Sequence, residues 1–437
     1  FSETVSTIEG AGTITSATAA TLILLYNNPD PAKLITTFSG TISGAISLYK
    51  TSNQVDNHGY LYLTGASSSY TGTTTVRIGG ILVGHANALG AASGTTTVLN
   101  GATVGVFGGI SIAEPFNIRG NGESGIGVLR DSSGINTFTG AITLDSAAYV
   151  TTLNGTGTDS LRLGAVNLGT FTLTLYNNVG IQAMGIISGT GSIIKSGSST
   201  VKLSAANTYT GFTQISNGSI LLGANDRIAN SDIYLDGGSL NTGGFTDALG
   251  KLFLTKNSQL TFGGSSAHTL TFSSADNFSH SNTLTINNWQ GTYGSPGTTG
   301  TAGKLLFTSR LAAYQIDHFY FYNSTTSSTH IALQLSASNE LVAGNDKSGY
   351  TSGHSNITIS TNSTSGGSWT GDGGSATPYV FSPNADNANI NVTEIQGYLI
   401  SSNGNVKIAT ANANGSQSGS LIINTPITAN NAAATVT

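Results

Sequence analysis

The sequence predicts an all-β protein: a right-handed parallel β-helix, or β-solenoid, with a smaller β unit at its C-terminal end. Three observations predict it: a long segment that occurs twice in one register, apolar residues that alternate over short runs, and corners built from Gly, Asn and Ser. Composition sets the frame. The 437 residues include 58 Gly, 7 Pro and no Cys, and only 8% are charged, against roughly 25% in an ordinary soluble domain. With 38% hydrophobic residues the chain is too apolar for disorder driven by charge repulsion. The 15 Lys and Arg against 20 Asp and Glu leave a net charge of −5 and no basic patch, which argues against a nucleic-acid partner. The lack of Cys removes disulfides, thiolate metal sites and cysteine nucleophiles together. No membrane span is expected, because the longest apolar stretch, Ala17 to Tyr26, falls short of the roughly 20 residues a crossing helix needs.

The first copy of the repeat reads ISGAISLYK (Ile42 to Lys50) and, after an insertion, LTGASSSYTGTTTVRIGGILVG (Leu63 to Gly84). The second reads ISGTGSIIK (Ile187 to Lys195) and LSAANTYTGFTQISNGSILLG (Leu203 to Gly223). Lys50 matches Lys195, Tyr70-Thr71-Gly72 matches Tyr209-Thr210-Gly211, and Ile81 to Gly84 matches Ile220 to Gly223. The register continues with TVLNGATV (Thr97 to Val104) against IYLDGGSL (Ile233 to Leu240), so one unit spans several strands and the recognisable copies cover about 42–104 and 187–240. Self-similarity at this length is the signature of stacked repeats.

Within each unit the apolar residues alternate, as in Val201-Lys202-Leu203, Ile233-Tyr234-Leu235 and His268-Thr269-Leu270-Thr271-Phe272. Period 2 puts one face of each strand into a core. The runs end at Asn100-Gly101, Asp236-Gly237-Gly238 and Ser216-Asn217-Gly218, where positive φ is tolerated. Many short strands with regular corners fit a sandwich, a barrel or a solenoid. The long-period match favours the solenoid, whose coils stack along an axis with Ile, Leu and Val inside and Ser, Thr and Asn outside. Hydroxyls and amides then keep the flanks soluble without charge.

The run KSGSSTVKLSAANTYTGFTQISNGSILLG (Lys195 to Gly223) resembles the autotransporter-associated β-strand repeat of bacterial surface and secreted proteins, whose passengers are parallel β-helices. The segments LFLTKNSQLTFGG (Leu252 to Gly264), TLTINNWQG (Thr283 to Gly291), KLLFTS (Lys304 to Ser309) and NELV (Asn339 to Val342) resemble the closing part of such arrays, at about 250–343. The stretch from Ala388 to Ile427 is similar to strand repeats of filamentous-haemagglutinin-like adhesins. The resemblance implies a bacterial surface or extracellular structural protein, and it brings no family-wide catalytic residues. The chain opens on Phe1 and ends on Ala432 to Thr437, so the expectation is an exported product whose N-terminal signal has been removed, or one segment of a longer polypeptide.

The organisation expected is a solenoid over 1–345, a Ser/Thr/Gly-rich connection over 346–376 and a C-terminal β unit over 377–437, which could exchange strands. At about 20 to 25 residues per coil and roughly 4.8 Å between strands, the solenoid would be on the order of 70 Å long. Its ends would be open sheet edges, and Phe1 to Ile14 and Ser420 to Thr437 carry only Glu3 and Glu9 as charged guards. Copies of the chain associating head to tail through terminal strands are therefore expected partners.

Candidate sites are sparse. Asp232 and Asp236 lie on one face of SDIYLD, but at four residues along a strand they stand about 13 Å apart, too far for a retaining glycosidase pair. Solvated turn residues are the simpler reading. His58, His85, His268, His280, His318, His330 and His354 show no ligand spacing, so no metal or cofactor is expected. Asp236 and Asp372, each before a Gly pair, fit turns better than calcium loops. In Phe319-Tyr320-Phe321-Tyr322 one pair should face a core and the other outward. Tyr320, Tyr322 and Trp369 are thus the candidate residues for a protein interface or a glycan contact, since aromatic rings stack on sugars and anchor interfaces. Tyr70 and Tyr209, equivalent in both copies, read as structural corner residues. No catalytic residue is assigned. The function expected is a non-enzymatic extracellular stalk, adhesin segment or filament subunit that meets surface glycans or neighbouring cell surfaces. The alternatives are a polysaccharide lyase or hydrolase on a β-helix and a sugar-binding module.

Overall fold

A computed structural model describes every residue except 28–33, 55–57, 67, 153–159, 229–230, 277–281, 295–297, 347–356, 371–378, 384–387, 401–404, 409–420, 424–426, 428–434 and 437. The chain forms two compact units, one of Phe1–Gln290, Gly300–Ser309 and Ser338–Glu340, the other of Gly291–Thr299, Arg310–Ala337 and Leu341–Thr437.

The first unit is a parallel β-solenoid. Its strands pair in register with the strand one coil later: Leu173, Ile193, Thr213 and Ile233 stand in one column at steps of 20 residues. Because side chains alternate along a strand, this register puts like on like. One inward column runs Leu61, Ile81, Val104, Leu129, Val150, Leu175, Lys195, Ile215, Leu235 and Leu254 across successive coils. Its members are at most 1% exposed, and the lysine is among them. A second sheet supplies the facing column Leu161, Ile181, Val201, Ile220, Leu240, Leu260 and Ile286. Each buried Leu, Ile or Val contributes about 1.5–3 kcal/mol relative to exposure, so the stack is the principal stabilising element. Parallel stacked coils are thus what the repeat and the alternation predict.

The second unit begins as an antiparallel meander. Phe319–Asn323 pairs with Ser328–Gln334, which pairs in turn with residues 341–346. Further on, Ile357–Ser360 lies parallel to both Ala388–Asn391 and Leu421–Ile423. Ile357, Ile359, Phe381, Ala388, Ile390, Val392, Ile395 and Val406 form the core, with Trp369 packed against it. Within 346–376, residues 347–356 and 371–376 lie outside the described residues. One element departs from the strand reading: Val392–Ile400 is an α-helix. Asn391 starts it, its Oδ1 accepting a hydrogen bond from the amide of Thr393 at 2.8 Å, and Val392 and Ile395 supply a buried i, i+3 pair.

Candidate functional site

The two repeat copies build the same internal device twice. Lys50 occupies an inward column between Leu24 and Val76, and Lys195 one between Leu175 and Ile215. Neither has a carboxylate partner within ion-pair distance among the described residues. Each amine instead donates to backbone carbonyls at the coil corner: Lys195 Nζ to Ser196 O at 2.8 Å, Gly197 O at 2.8 Å and Asn217 O at 3.0 Å. Lys50 Nζ reaches Thr51 O at 3.2 Å, His58 O at 2.9 Å and Ile78 O at 3.4 Å. Burial pushes both amines down to about 8, opposed at Lys50 by the charge of Glu123. The lysine ties adjacent coil corners together through their backbone carbonyls. Tyr70 and Tyr209 are likewise fully buried, and their hydroxyls meet Thr74 Oγ1 and Thr213 Oγ1, each at 2.6 Å. They are corner residues, as their equivalence suggests.

The candidate carboxylates Asp232 and Asp236 are engaged in structure. Asp232 Oδ1 accepts from the Lys251 amide at 2.8 Å, while Asp236 pairs with Lys256 at 3.0 Å and accepts from Thr255 at 2.9 Å. Asp247 receives the amides of Arg227 and Ile228, both at 2.9 Å, and burial still pushes it up to about 6. Glu114 is pushed up to about 8 by burial, with one oxygen bonded to Thr96 Oγ1 at 2.8 Å. His58 Nδ1 meets Glu123 at 2.8 Å, and His268 lies between Thr242 and Ser266. Among the described residues no three His, Asp or Glu side chains gather to hold a metal ion. His280, His354 and Asp372 lie outside the described residues.

Of the aromatic candidates, Phe319 and Phe321 are fully buried and Tyr320 and Tyr322 half-buried on the opposite face of their strand. The Tyr322 carbonyl accepts from the Tyr293 hydroxyl at 3.2 Å. Trp369 is half-buried, stands edge-on to Phe381 at 5.3 Å and donates its indole N–H to Glu394 at 3.0 Å. Trp369 is thus an integral part of its unit's packing.

An outward surface that sequence reasoning missed lies on the first unit. Ile35, Tyr60, Tyr62, Leu82, Phe107, Arg130, Ser132 and Ser133 line a groove of ≈ 400 Å³ on the sheet's outer face. Ladder register assembles it, with Ile35 beside Tyr60, Tyr62 beside Leu82, and Gly105 beside Arg130. Tyr60 and Tyr62 fall in the stretch between Lys50 and Leu63 that interrupts the first repeat copy. Laying that stretch on Thr200 and Lys202 of the second copy is the signal that could have found them.

Residues 58–83 and 193–222 match the passenger-associated-transport-repeat family. The chain is also similar to the adhesin BmaC autotransporter of Brucella suis biovar 1 (strain 1330), 29% identical over 227 residues, a match covering 47% of this chain and 6% of that protein. The chain therefore spans a small part of that relative's length. No solved structure matches. The matched stretches hold Lys195 and both outward-to-inward alternations of the ladder, so the described coils of this parallel β-solenoid carry two stretches similar to the autotransporter passenger repeat.

Proposed function

We propose that this chain is a displayed segment of a non-enzymatic surface passenger, a β-solenoid that serves as stalk and adhesive surface outside the cell. The observation that carries the reading is the parallel ladder of the described coils with two transport-repeat copies on it, joined to the match with an autotransporter adhesin. The carboxylates support a structural role, since Asp232, Asp236 and Asp247 are all taken up in hydrogen bonds or ion pairs. Tyr320 and Tyr322, on the half-buried face of their strand, are the aromatic contacts this reading assigns to the second unit. Displaying the chain on a non-adherent bacterium through a heterologous export domain tests it. Protease-accessible protein and a gain in attachment to host or neighbouring cells are expected; surface display without any gain in attachment refutes the adhesive role, and release of new reducing ends from polysaccharides refutes the non-enzymatic one.

A second reading, association between copies of the chain, is favoured by the strand Ser2–Val5. All four of its residues are exposed, Val5 among the exposed large hydrophobics, and Glu3 is its sole charge. Exposed, weakly charged strands accept another strand readily. Sedimentation should show assemblies that Val5→Lys disperses; a monomer at all concentrations refutes this reading.

A further inference from the structure

The outward groove of the first unit is built in a way the repeat does not require. Gly80 lies beside Tyr60 on the next coil, and a Cβ placed on it would stand 2.3 Å from the Tyr60 ring. Gly105 likewise receives Leu82, whose Cδ2 would be 2.6 Å from an added Cβ. With no side chain beneath it the Tyr60 ring lies over Gly80 and lines the groove. Phe107 leans on Tyr62 at 5.7 Å between centroids and closes one wall.

The second copy serves as an internal control. Matching Ile81 to Gly84 with Ile220 to Gly223, and each strand with its own ladder neighbours, makes Thr200 equivalent to Tyr60, Lys202 to Tyr62, Ser219 to Gly80, Asn241 to Gly105 and Gly243 to Phe107. The same fold therefore stands without these rings and without the glycine beneath Tyr60, Gly80 being replaced there by Ser219. Polar residues mark the far side of the groove. Arg130 Nε and Ser132 Oγ have no hydrogen-bond partner among the described residues. Among the described residues no carboxylate forms an ion pair with Arg130: Glu123 is held by His58, and Asp131, 2% exposed, turns inward to Asn136 at 2.6 Å. Flat aromatic faces with an unneutralised guanidinium and hydroxyls at one end suit an amphiphilic, anionic ring. The volume lies within the roughly 300–1,000 Å³ typical of ligand sites.

We infer that this groove is a binding site for an oligosaccharide bearing a carboxylate, a uronate or sialate type of glycan, with Tyr60 and Phe107 stacking on the sugar rings and Arg130 meeting the acid. The site is independent of whether the chain also adheres to cells, because it is read on the purified protein. The test is equilibrium binding of the purified chain to a panel of uronate- and sialate-bearing oligosaccharides and their carboxyl-reduced counterparts, with circular dichroism confirming each variant's fold. Tyr60→Ala and Phe107→Ala should each weaken binding by roughly tenfold, about 1.4 kcal/mol. Arg130→Gln should remove the preference for the acid over its reduced counterpart. Gly80→Ala keeps every lining side chain but lifts the Tyr60 ring, and should weaken binding as Tyr60→Ala does. Lys202→Ala, at the equivalent place in the second copy, should leave binding unchanged. Failure of every acidic glycan to bind, binding that survives Tyr60→Ala and Phe107→Ala, or equal binding of acid and reduced forms by the wild type overturns the inference, as does binding of a protein partner at this groove with no glycan bound.

Discussion

Replacing Lys195 by Met keeps the side chain's length and apolar stem but removes its amine from three carbonyls at 2.8, 2.8 and 3.0 Å. Leaving a buried acceptor unpaired costs about 1–3 kcal/mol, and taking the low end for corner carbonyls gives a loss of about 3 kcal/mol. Removing a buried charge offsets part of this. The amine is pushed down from 10.5 to about 8. At about 1.36 kcal/mol per pH unit that sets a ceiling of roughly 3 kcal/mol, which screening at the coil corner reduces to about 1 kcal/mol. Lys195→Met should therefore destabilise the coil by about 2 kcal/mol at pH 7. The sign of the pH dependence follows from the lowered value: between about 8 and 10.5 the unfolded chain holds a proton that the folded chain has released, so wild-type stability rises with pH across that window. Methionine cannot follow, and the gap between wild type and variant should widen as pH rises from 8 to 10. Urea unfolding at both pH values reads the gap, and hydrogen exchange at the Ser216 amide, bonded to Lys195 O at 2.9 Å, reads the local loss at pH 7. Lys50→Met, with bonds of 3.2, 2.9 and 3.4 Å, should have the smaller effect. A Lys195→Met protein as stable as wild type at pH 7, or a gap that narrows with pH, would refute the reasoning.

Tyr209→Phe removes the hydroxyl from Thr213 but leaves that threonine its 3.0 Å bond to Ser231, so thermal unfolding should show a loss of only about 1 kcal/mol. Glu114, raised to about 8 by burial, contributes stability that is complete below about 4.5 and lost as pH climbs through 8. Glu114→Gln should flatten that decline and exceed wild type by about 1–2 kcal/mol at pH 9; a variant that declines as steeply as wild type rejects the assignment. Trp369→Ala removes the edge contact with Phe381 and the bond to Glu394, and should lower protection of the strand Tyr379–Pro383 against hydrogen exchange by about 2 kcal/mol. Unchanged protection would instead leave Trp369 as a contact residue without a packing role.

The solenoid was legible because its two governing patterns stand in the sequence itself: alternation within a strand and a multi-strand unit that recurs in one register. The matching of Lys50 with Lys195 and Tyr70 with Tyr209 pointed to structural positions, yet the sequence reading did not say that the lysines are buried in an apolar column. A charge inside is stable here only because coil corners present clustered carbonyls, which depends on how two coils meet and not on the strand holding the lysine. The helix Val392–Ile400 escaped notice since its apolar spacing is short and its start rests on one Asn side chain. The groove was hidden for a different reason. Its residues run from Ile35 to Ser133, and coils of unequal length bring them together, among them the insertion in the first copy. No sequence window contains them, and only the ladder register aligns them.

The short step between ladder partners also bears on how the chain folds. Partners such as Leu173 and Ile193, or Thr213 and Ile233, are 20 residues apart in a chain of 437, so the mean span of a contact in this part is about 0.05 of the total length. Long-range sheets ordinarily fold slowly because distant segments must find one another, but here every strand needs only the coil before it. A finished coil is a template with a free edge and an ordered set of inward side chains, and the next 20 residues can dock on it at once. Folding can then propagate coil by coil from wherever a first coil forms, and a chain delivered from one end is delivered in an order in which each new coil finds its neighbour already in place.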